Sequence, residues 1–165
     1  MSETKAIMPG SFDPWTLGHQ AIYEAASKMF DEVEVVILQN SGKIAMFDTG
    51  QRFAIISTAC SARARVIKAL TTVGAAKEIG AQYIVRGFRP DDAGYELSMA
   101  WANTMLDNDV QTVFIPTPQE YLNISSTMVR EFIRIDEFDK HGPELVPEKV
   151  YEMIKDWATL GYIQK

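Results

Sequence analysis

The first residues whose types and spacing could do chemistry lie between Pro9 and His19. Pro9-Gly10-Ser11 should end a short apolar strand, and a helical pattern starts after Gly18-His19. Such a break leaves backbone N–H groups unpaired and the positive end of a helix dipole facing one crevice, which suits an anion such as phosphate. Ser11 would add a hydroxyl and His19 a ring donor. The same residue types also form ordinary turns and caps, so this segment alone leaves a structural role open.

The elements that must position these residues alternate between strands and helices. Apolar, β-branched runs predict strands at 6–8, 33–38, 64–67, 83–85 and 113–115. Helical spacing predicts helices at 20–30, about 48–60, 72–79 and 92–106, with a last one at about 147–158 before a short tail. We therefore expect an α/β fold: a five-stranded, mostly parallel sheet with helices on both faces, and ligands beyond the carboxyl ends of the strands.

Local signals sharpen some of these elements. Asp48-Thr49-Gly50-Gln51 resembles a capping box that opens a helix, and Gly80 is suited to end one. In the helix predicted at 92–106, helical spacing predicts an inner side made of Tyr95, Met99, Ala102 and Leu106.

Composition narrows the function classes. The 165 residues, 47% hydrophobic and 23% charged, predict one folded domain spanning 1–165, without a linker or internal repeat. A net charge of −6 argues against a nucleic-acid-binding surface. No apolar run approaches the ~20 residues of a membrane span, and the single cysteine, Cys60, excludes an internal disulfide and is expected to be a buried core thiol. We expect a cytoplasmic protein without a membrane partner.

Further candidate residues follow the other predicted strands. Lys43 with Met46-Phe47 lies after the second strand, and Arg86-Gly87-Phe88-Arg89 with Tyr95-Glu96 lies after the fourth. Ser125-Ser126-Thr127 precedes a helix after the fifth strand and would form a second N-terminal anion site, although such a run is often only a helix cap. Because these blocks all lie at strand ends, we expect one shared site.

Together with Thr16-Leu17-Gly18-His19, these blocks occur in an order that resembles a known group of enzymes. That group is the nucleotidyltransferase superfamily with the (His/Thr)-x-Gly-His motif and, within it, the phosphopantetheine adenylyltransferase family. The resemblance implies a Rossmann-like nucleotidyltransferase fold. It also implies transfer of the adenylyl group of ATP to 4'-phosphopantetheine, giving dephospho-CoA and pyrophosphate in coenzyme A biosynthesis.

The resemblance also implies roles for individual residues. The catalytic set would be His19, Ser11, Lys43 and Arg89. The acceptor substrate would contact Ser11, Lys43, Thr72 and Arg86. ATP would contact Ser11, Phe12, His19, Gly87, Phe88, Arg89, Glu96, Tyr121, Leu122, Asn123, Ile124, Ser125, Ser126 and Thr127. Chemistry of this kind needs in-line positioning and charge neutralisation more than a nucleophilic side chain.

Cofactor and partners follow from the same resemblance. Mg²⁺ is expected to bridge the ATP phosphates, and the sequence identifies no metal ligand. Homo-oligomers, hexameric in this family, and feedback by coenzyme A are further expectations.

Two alternatives stay open at this stage. Segment 68–74 departs from the apolar Gly-Leu pattern of the family, and Thr72 stands where a substrate contact is usual. The acceptor could therefore be a nicotinamide or nicotinate mononucleotide, as in another adenylyltransferase of the superfamily. A nucleotide-binding module without catalytic activity is the second alternative.

Overall fold

A computed structural model describes residues 3–38, 44–60, 63–67 and 69–163. Its strands are β1 (Lys5–Gly10), β2 (Glu32–Leu38), β3 (Arg63–Ile67), β4 (Tyr83–Phe88) and β5 (Gln111–Pro116). They form one sheet in the order β3-β2-β1-β4-β5, and every neighbouring pair is parallel. The expected five-stranded α/β fold is confirmed, and the sheet is parallel throughout.

Seven α-helices connect or flank these strands in the described residues. They are α1 (Leu17–Met29), α2 (Thr49–Ala59), α3 (Thr72–Ile79), α4 (Ala93–Leu106), α5 (Ser126–Arg134), α6 (Phe138–His141) and α7 (Glu148–Thr159). Helices α3 and α4 pack together on the sheet, and α1 and α2 also contact its strands. None of the helices in the described ranges is long and apolar enough to cross a membrane.

The central strands are buried on both faces, so apolar residues follow one another without alternation. Ile7 belongs to the cluster that includes residues of α3, whereas Ala6 and Met8 belong to the larger cluster with α1, α2, α5 and α7. Cys60 is buried in the larger cluster, as expected. Two cores therefore hold β1 rigidly between them.

The chain order creates a switch point beside β1. From β1 the chain moves to β2 and β3 on one side, and later to β4 and β5 on the other. The loops that follow β1 and β4 thus diverge and leave a crevice at the carboxyl edge. Strand β4 runs to Phe88, three residues beyond the predicted end, because Arg86, Gly87 and Phe88 pair with β5.

Local signals in the sequence set several helix ends. Asp48 accepts a hydrogen bond from the Gln51 backbone, and the Gln51 side chain bonds back to the Asp48 backbone, which confirms the capping box. Gly80 adopts a left-handed conformation with φ of 75° after α3, which confirms the predicted helix end.

The predicted inner side of α4 is only partly correct. Tyr95 and Met99 line the crevice at the carboxyl edge, whereas Ala102 and Leu106 are exposed and do not. The buried residues of this helix are Glu96 and Asn103. The face of the helix toward the crevice therefore combines polar and apolar residues, while Leu97, Trp101 and Met105 remain exposed.

Candidate active site

A cavity of about 600 Å³ opens at the carboxyl edge of the sheet. It is surrounded by the ends of β1 and β4 and by the first turns of α1 and α5. The predicted site residues in its wall are Ser11, Phe12, His19, Thr72, Arg86, Gly87, Arg89, Glu96, Ser125 and Ser126. Residues more than a hundred positions apart in the sequence therefore face one space.

Other predicted residues lie outside this wall. Phe88 packs against Phe114, with ring centroids 5.4 Å apart. The cavity wall does not include Tyr121, Leu122, Asn123, Ile124 or Thr127, all of which belong to the described chain. Lys43 lies outside the described residues.

The turn after β1 is fixed by close packing. Phe12 has a positive φ of 46°, and its ring covers Gly10 so tightly that a Cβ on Gly10 would lie 2.7 Å from the ring. The Arg52 guanidinium donates to the Ser11 carbonyl at 2.8 Å, and Arg130 donates to the Asp13 carbonyl at 2.6 Å. These contacts hold the Ser11 backbone at the cavity entrance.

The carboxylate of Asp13 ties this turn to the next loop. It accepts hydrogen bonds from the backbone N–H groups of Met46 at 3.1 Å and Phe47 at 2.9 Å. The Asp13 side chain is buried, so the two bonds satisfy a group that would otherwise be costly to bury. The loops after β1 and β2 are thereby joined.

His19 is oriented by the helix cap of α1. The Thr16 backbone N–H donates to Nδ1 of His19 at 3.0 Å, while the Thr16 hydroxyl accepts from the His19 backbone. Because Nδ1 accepts this bond in the neutral ring, the proton lies on Nε2. The rings of Phe12 and Trp15 lie 5.2 and 5.4 Å from the imidazole.

The surroundings of His19 also fix its charge. The pKa of His19 is lowered to about 4, mainly by burial of the ring and further by the positive charges of Arg89 and Arg86 nearby. The ring is therefore neutral near pH 7 and can offer Nε2–H as a hydrogen-bond donor.

The Arg86 side chain extends from β4 and forms an ion pair with the carboxylate of Glu96. Its Nε donates to Oε2 of Glu96 at 2.8 Å, and its Nη2 donates to Oε1 at 2.7 Å. Its Nη1 donates to the Pro9 carbonyl at 3.3 Å, at the end of β1. The hydrogen bond with Glu96 raises the pKa of the Arg86 guanidinium. Arg86 thus stays charged at the switch point.

Arg89 connects the cavity to the segment before α5. Its Nη2 donates to the Ile124 carbonyl at 2.8 Å, and its Nη1 lies 3.4 Å from the Leu122 carbonyl. Ser125 caps α5 by accepting from the Met128 backbone, and the Ser126 hydroxyl donates to the Pro14 carbonyl. The positive end of the α5 dipole therefore points toward the same space as Arg89.

Two polar residues of the cavity wall, Asn103 and Thr112, were not predicted from the sequence, whereas their partner Thr72 was. Thr72 donates to the amide oxygen of Asn103 at 2.9 Å, and the Asn103 amide nitrogen donates to Thr112 at 3.2 Å. All three residues line the cavity. The spacing of Glu96 and Asn103, two helical turns apart, was the available signal that α4 turns a polar face inward.

The chain matches known proteins along most of its length. A family model described as cytidylyltransferase-like matches residues 7–132. A phosphopantetheine adenylyltransferase of Finegoldia magna is 39% identical, and the match covers 94% of this chain and 96% of the relative. One from Staphylococcus carnosus is 36% identical, with 94% of this chain and 98% of the relative covered.

A solved structure agrees with the fold. A Vibrio parahaemolyticus protein assigned as a nicotinate-nucleotide adenylyltransferase superposes with a TM-score of 0.70, covering 95% of this chain and 94% of that one. Its sequence identity is 17%, so the likeness concerns the fold alone. From the family model and the near full-length relatives, the chain belongs to the phosphopantetheine adenylyltransferase family of the cytidylyltransferase-like proteins.

Proposed function

We propose that the protein transfers the adenylyl group of ATP to 4'-phosphopantetheine, giving dephospho-CoA and pyrophosphate. One observation supports this most strongly: His19, Arg86, Arg89 and the first turn of α5 line the same cavity of about 600 Å³. The relatives of the same family, which match this chain over nearly its full length, bear the name of this activity.

The reaction forms one bond and breaks one. A phosphate oxygen of the acceptor attacks the α-phosphorus of ATP, and the bond to the departing pyrophosphate breaks on the opposite side. Negative charge develops on the non-bridging oxygens, so the protein acts by alignment and by donors placed in advance. Because His19 is neutral with its proton on Nε2, it would donate this N–H in a hydrogen bond to the α-phosphate.

The acceptor phosphate is proposed to lie at the switch point. Ser11 offers a hydroxyl at the end of β1, and Arg86 offers a guanidinium from β4. We also propose that Lys43 contributes a charge there and that Thr72 contacts the far end of the acceptor. Three donors from different parts of the chain, Ser11, Lys43 and Arg86, would hold the attacking oxygen in line.

ATP is proposed to occupy the side of the cavity near Arg89 and α5. Gly87 and the α5 N-terminus would let the phosphates approach backbone N–H groups closely. Arg89 would act by neutralising phosphate charge and by ordering residues 121–124, which are proposed to hold the adenine. Phe88 and Thr127 do not line the cavity and would stabilise the ATP side by packing behind the residues that do.

Mg²⁺ is proposed to enter with ATP. Within the described ranges, no three His, Cys, Asp or Glu side chains cluster as ligands for a metal ion. Mg²⁺ commonly binds nucleotide phosphates and retains several waters, so it needs few protein ligands. When bound, it would neutralise charge on the departing pyrophosphate.

Pyrophosphate release tests the proposal directly. Purified protein with Mg²⁺ and ATP should release pyrophosphate with 4'-phosphopantetheine, and little with nicotinamide or nicotinate mononucleotide. The product should have the mass of dephospho-CoA. Turnover with a mononucleotide alone would refute the choice of acceptor, and ATP binding without turnover would favour the inactive module.

We also propose that the protein forms homo-oligomers through the outer face of α4. Leu97, Trp101 and Met105 recur every four residues and are 45%, 72% and 89% exposed. Apolar residues grouped this way on a surface usually mark an interface. A hexamer is the form expected from the family resemblance.

The remaining proposals follow from the same activity. We propose that residues 1–165 act as one domain and that the protein works in the cytoplasm, where ATP is abundant. Coenzyme A contains the groups of both the acceptor and the nucleotide, so feedback by coenzyme A at this cavity is also proposed. Competition between coenzyme A and ATP in the pyrophosphate assay would test it.

A further inference from the structure

The cavity proposed to bind phosphates contains a carboxylate, Glu96. Its side chain is only 10% exposed and lies in the wall beside Arg86. A negative charge at this position repels phosphate, so its presence needs an explanation. Glu96 accepts two hydrogen bonds from the guanidinium of Arg86, and these bonds account for its position.

Glu96 occupies the edge of the Arg86 guanidinium that is formed by Nε and Nη2. A guanidinium has five N–H donors, and the bonds to Glu96 and to the Pro9 carbonyl use three of them. The remaining two donors lie on the two terminal nitrogens, one on each. Two N–H groups on the terminal nitrogens can together form a fork that binds two oxygens of a phosphate.

We propose that Glu96 is a positioning residue that acts through Arg86. By accepting from Nε and Nη2 at once, it fixes the plane of the guanidinium and leaves the fork of terminal N–H groups for the acceptor phosphate. This inference rests on the proposed function, because it takes the acceptor phosphate as the ligand of Arg86. It assigns Glu96 to the acceptor side, rather than to the ATP side that the family resemblance implies.

The position of the pair supports this role. Arg86 comes from a strand and Glu96 from the first turn of the helix that follows, so both ends of the ion pair are on rigid elements. A bidentate pair allows one orientation of the plane, whereas a single bond would let the guanidinium rotate. Holding the fork in advance reduces the entropy lost when phosphate binds.

The test is a double-mutant cycle between Glu96→Gln and Arg86→Gln. The amide of glutamine keeps the shape of the side chain but replaces one accepting oxygen with a donor, so one of the two bonds is lost. We expect Glu96→Gln to raise the KM for 4'-phosphopantetheine about 10-fold, since a charge-assisted bond is lost, and to change the KM for ATP little. In the Arg86→Gln background, the same change should raise the acceptor KM no further.

Controls separate this effect from general damage. Glu131→Gln removes an exposed carboxylate that pairs with Arg134 on α5, and it should leave both KM values unchanged. Melting temperatures check that the variants fold. If Glu96→Gln is unstable, Glu96→Asp provides the same comparison, because it keeps the charge but places the carboxylate one methylene farther from Arg86.

Three results would overturn the proposal. The first is an acceptor KM that is unchanged or lower in Glu96→Gln, and the second is a rise confined to the KM for ATP. The third is an equal rise of the acceptor KM in both backgrounds. A wild-type protein without turnover on 4'-phosphopantetheine would instead refute the proposed function, so the two failures are distinguishable.

Discussion

His19 should remain neutral throughout the physiological pH range. Its pKa is lowered from 6.5 to about 4 by burial and by two guanidinium groups. At pH 7 an ordinary histidine is protonated in about a quarter of molecules, whereas a pKa near 4 leaves about one molecule in a thousand protonated. The mechanism depends on this, because the donor Nε2–H and the acceptor Nδ1 coexist only in the neutral ring.

Nuclear magnetic resonance can measure the charge and tautomer directly. The chain contains two histidines, so a ¹⁵N histidine spectrum has two sets of signals, and His141→Gln assigns them. The His19 signals should show the Nε2–H tautomer and titrate with a midpoint near 4. A midpoint of 6.5 or above, or a proton on Nδ1, would refute the argument from the Thr16 cap.

The same shift has a consequence for stability. Between pH 4 and 6.5 the unfolded chain binds a proton at His19 that the folded chain does not, so stability falls as the pH is lowered through this window. At about 1.4 kcal/mol per pH unit, the loss over this window amounts to about 3–4 kcal/mol. His19→Gln keeps a side chain that can complete the capping box and does not titrate. Urea unfolding should therefore show that the difference in free energy of unfolding between wild type and His19→Gln changes by this amount between pH 6.5 and pH 4. A difference that does not depend on pH would contradict the prediction.

Three further predictions concern catalysis, assembly and packing. His19→Ala should lower kcat by ~10²-fold or more with a smaller effect on the KM for ATP, because the donor acts mainly on the transition state; steady-state kinetics would contradict this if both changed equally. Trp101→Glu should reduce the size of the assembly measured by sedimentation velocity. Thr159→Glu, at another exposed helical position on α7, should not. An unchanged size in both variants would show that the outer face of α4 is not the interface. Gly10→Ala should lower the free energy of unfolding by about 1–3 kcal/mol, because the new methyl group meets the Phe12 ring. Gly94→Ala, whose Cβ meets nothing within 4 Å, should leave it unchanged or raise it, and equal losses would contradict the packing argument.

The parts predictable from the sequence are those governed by local rules. The capping box at Asp48 and the left-handed Gly80 depend on a few neighbouring residues, and both are as predicted. The grouping of His19, Arg86 and Ser125 in one wall followed from the rule that parallel strands end at a common edge.

What could not be predicted depends on distant partners. Helical spacing favoured an apolar inner side of α4, but Glu96 and Asn103 also line the cavity beside this helix. Two of the four residues predicted to face inward, Ala102 and Leu106, are exposed. The pairing of Arg86 with Glu96 requires the relative positions of a strand and a helix, which spacing along the chain does not give. The tautomer of His19 likewise needs the geometry of the Thr16 cap.

The shared carboxylate of Asp13 has a practical implication for anyone trimming or grafting loops in this protein. The Asp13 carboxylate accepts hydrogen bonds from the backbone at Met46 and Phe47, and the Asp13 carbonyl accepts one from Arg130. One residue thus connects the turn after β1, the segment just before α2 and helix α5. A redesign for a different acceptor should therefore keep these three bonds or replace the three segments together.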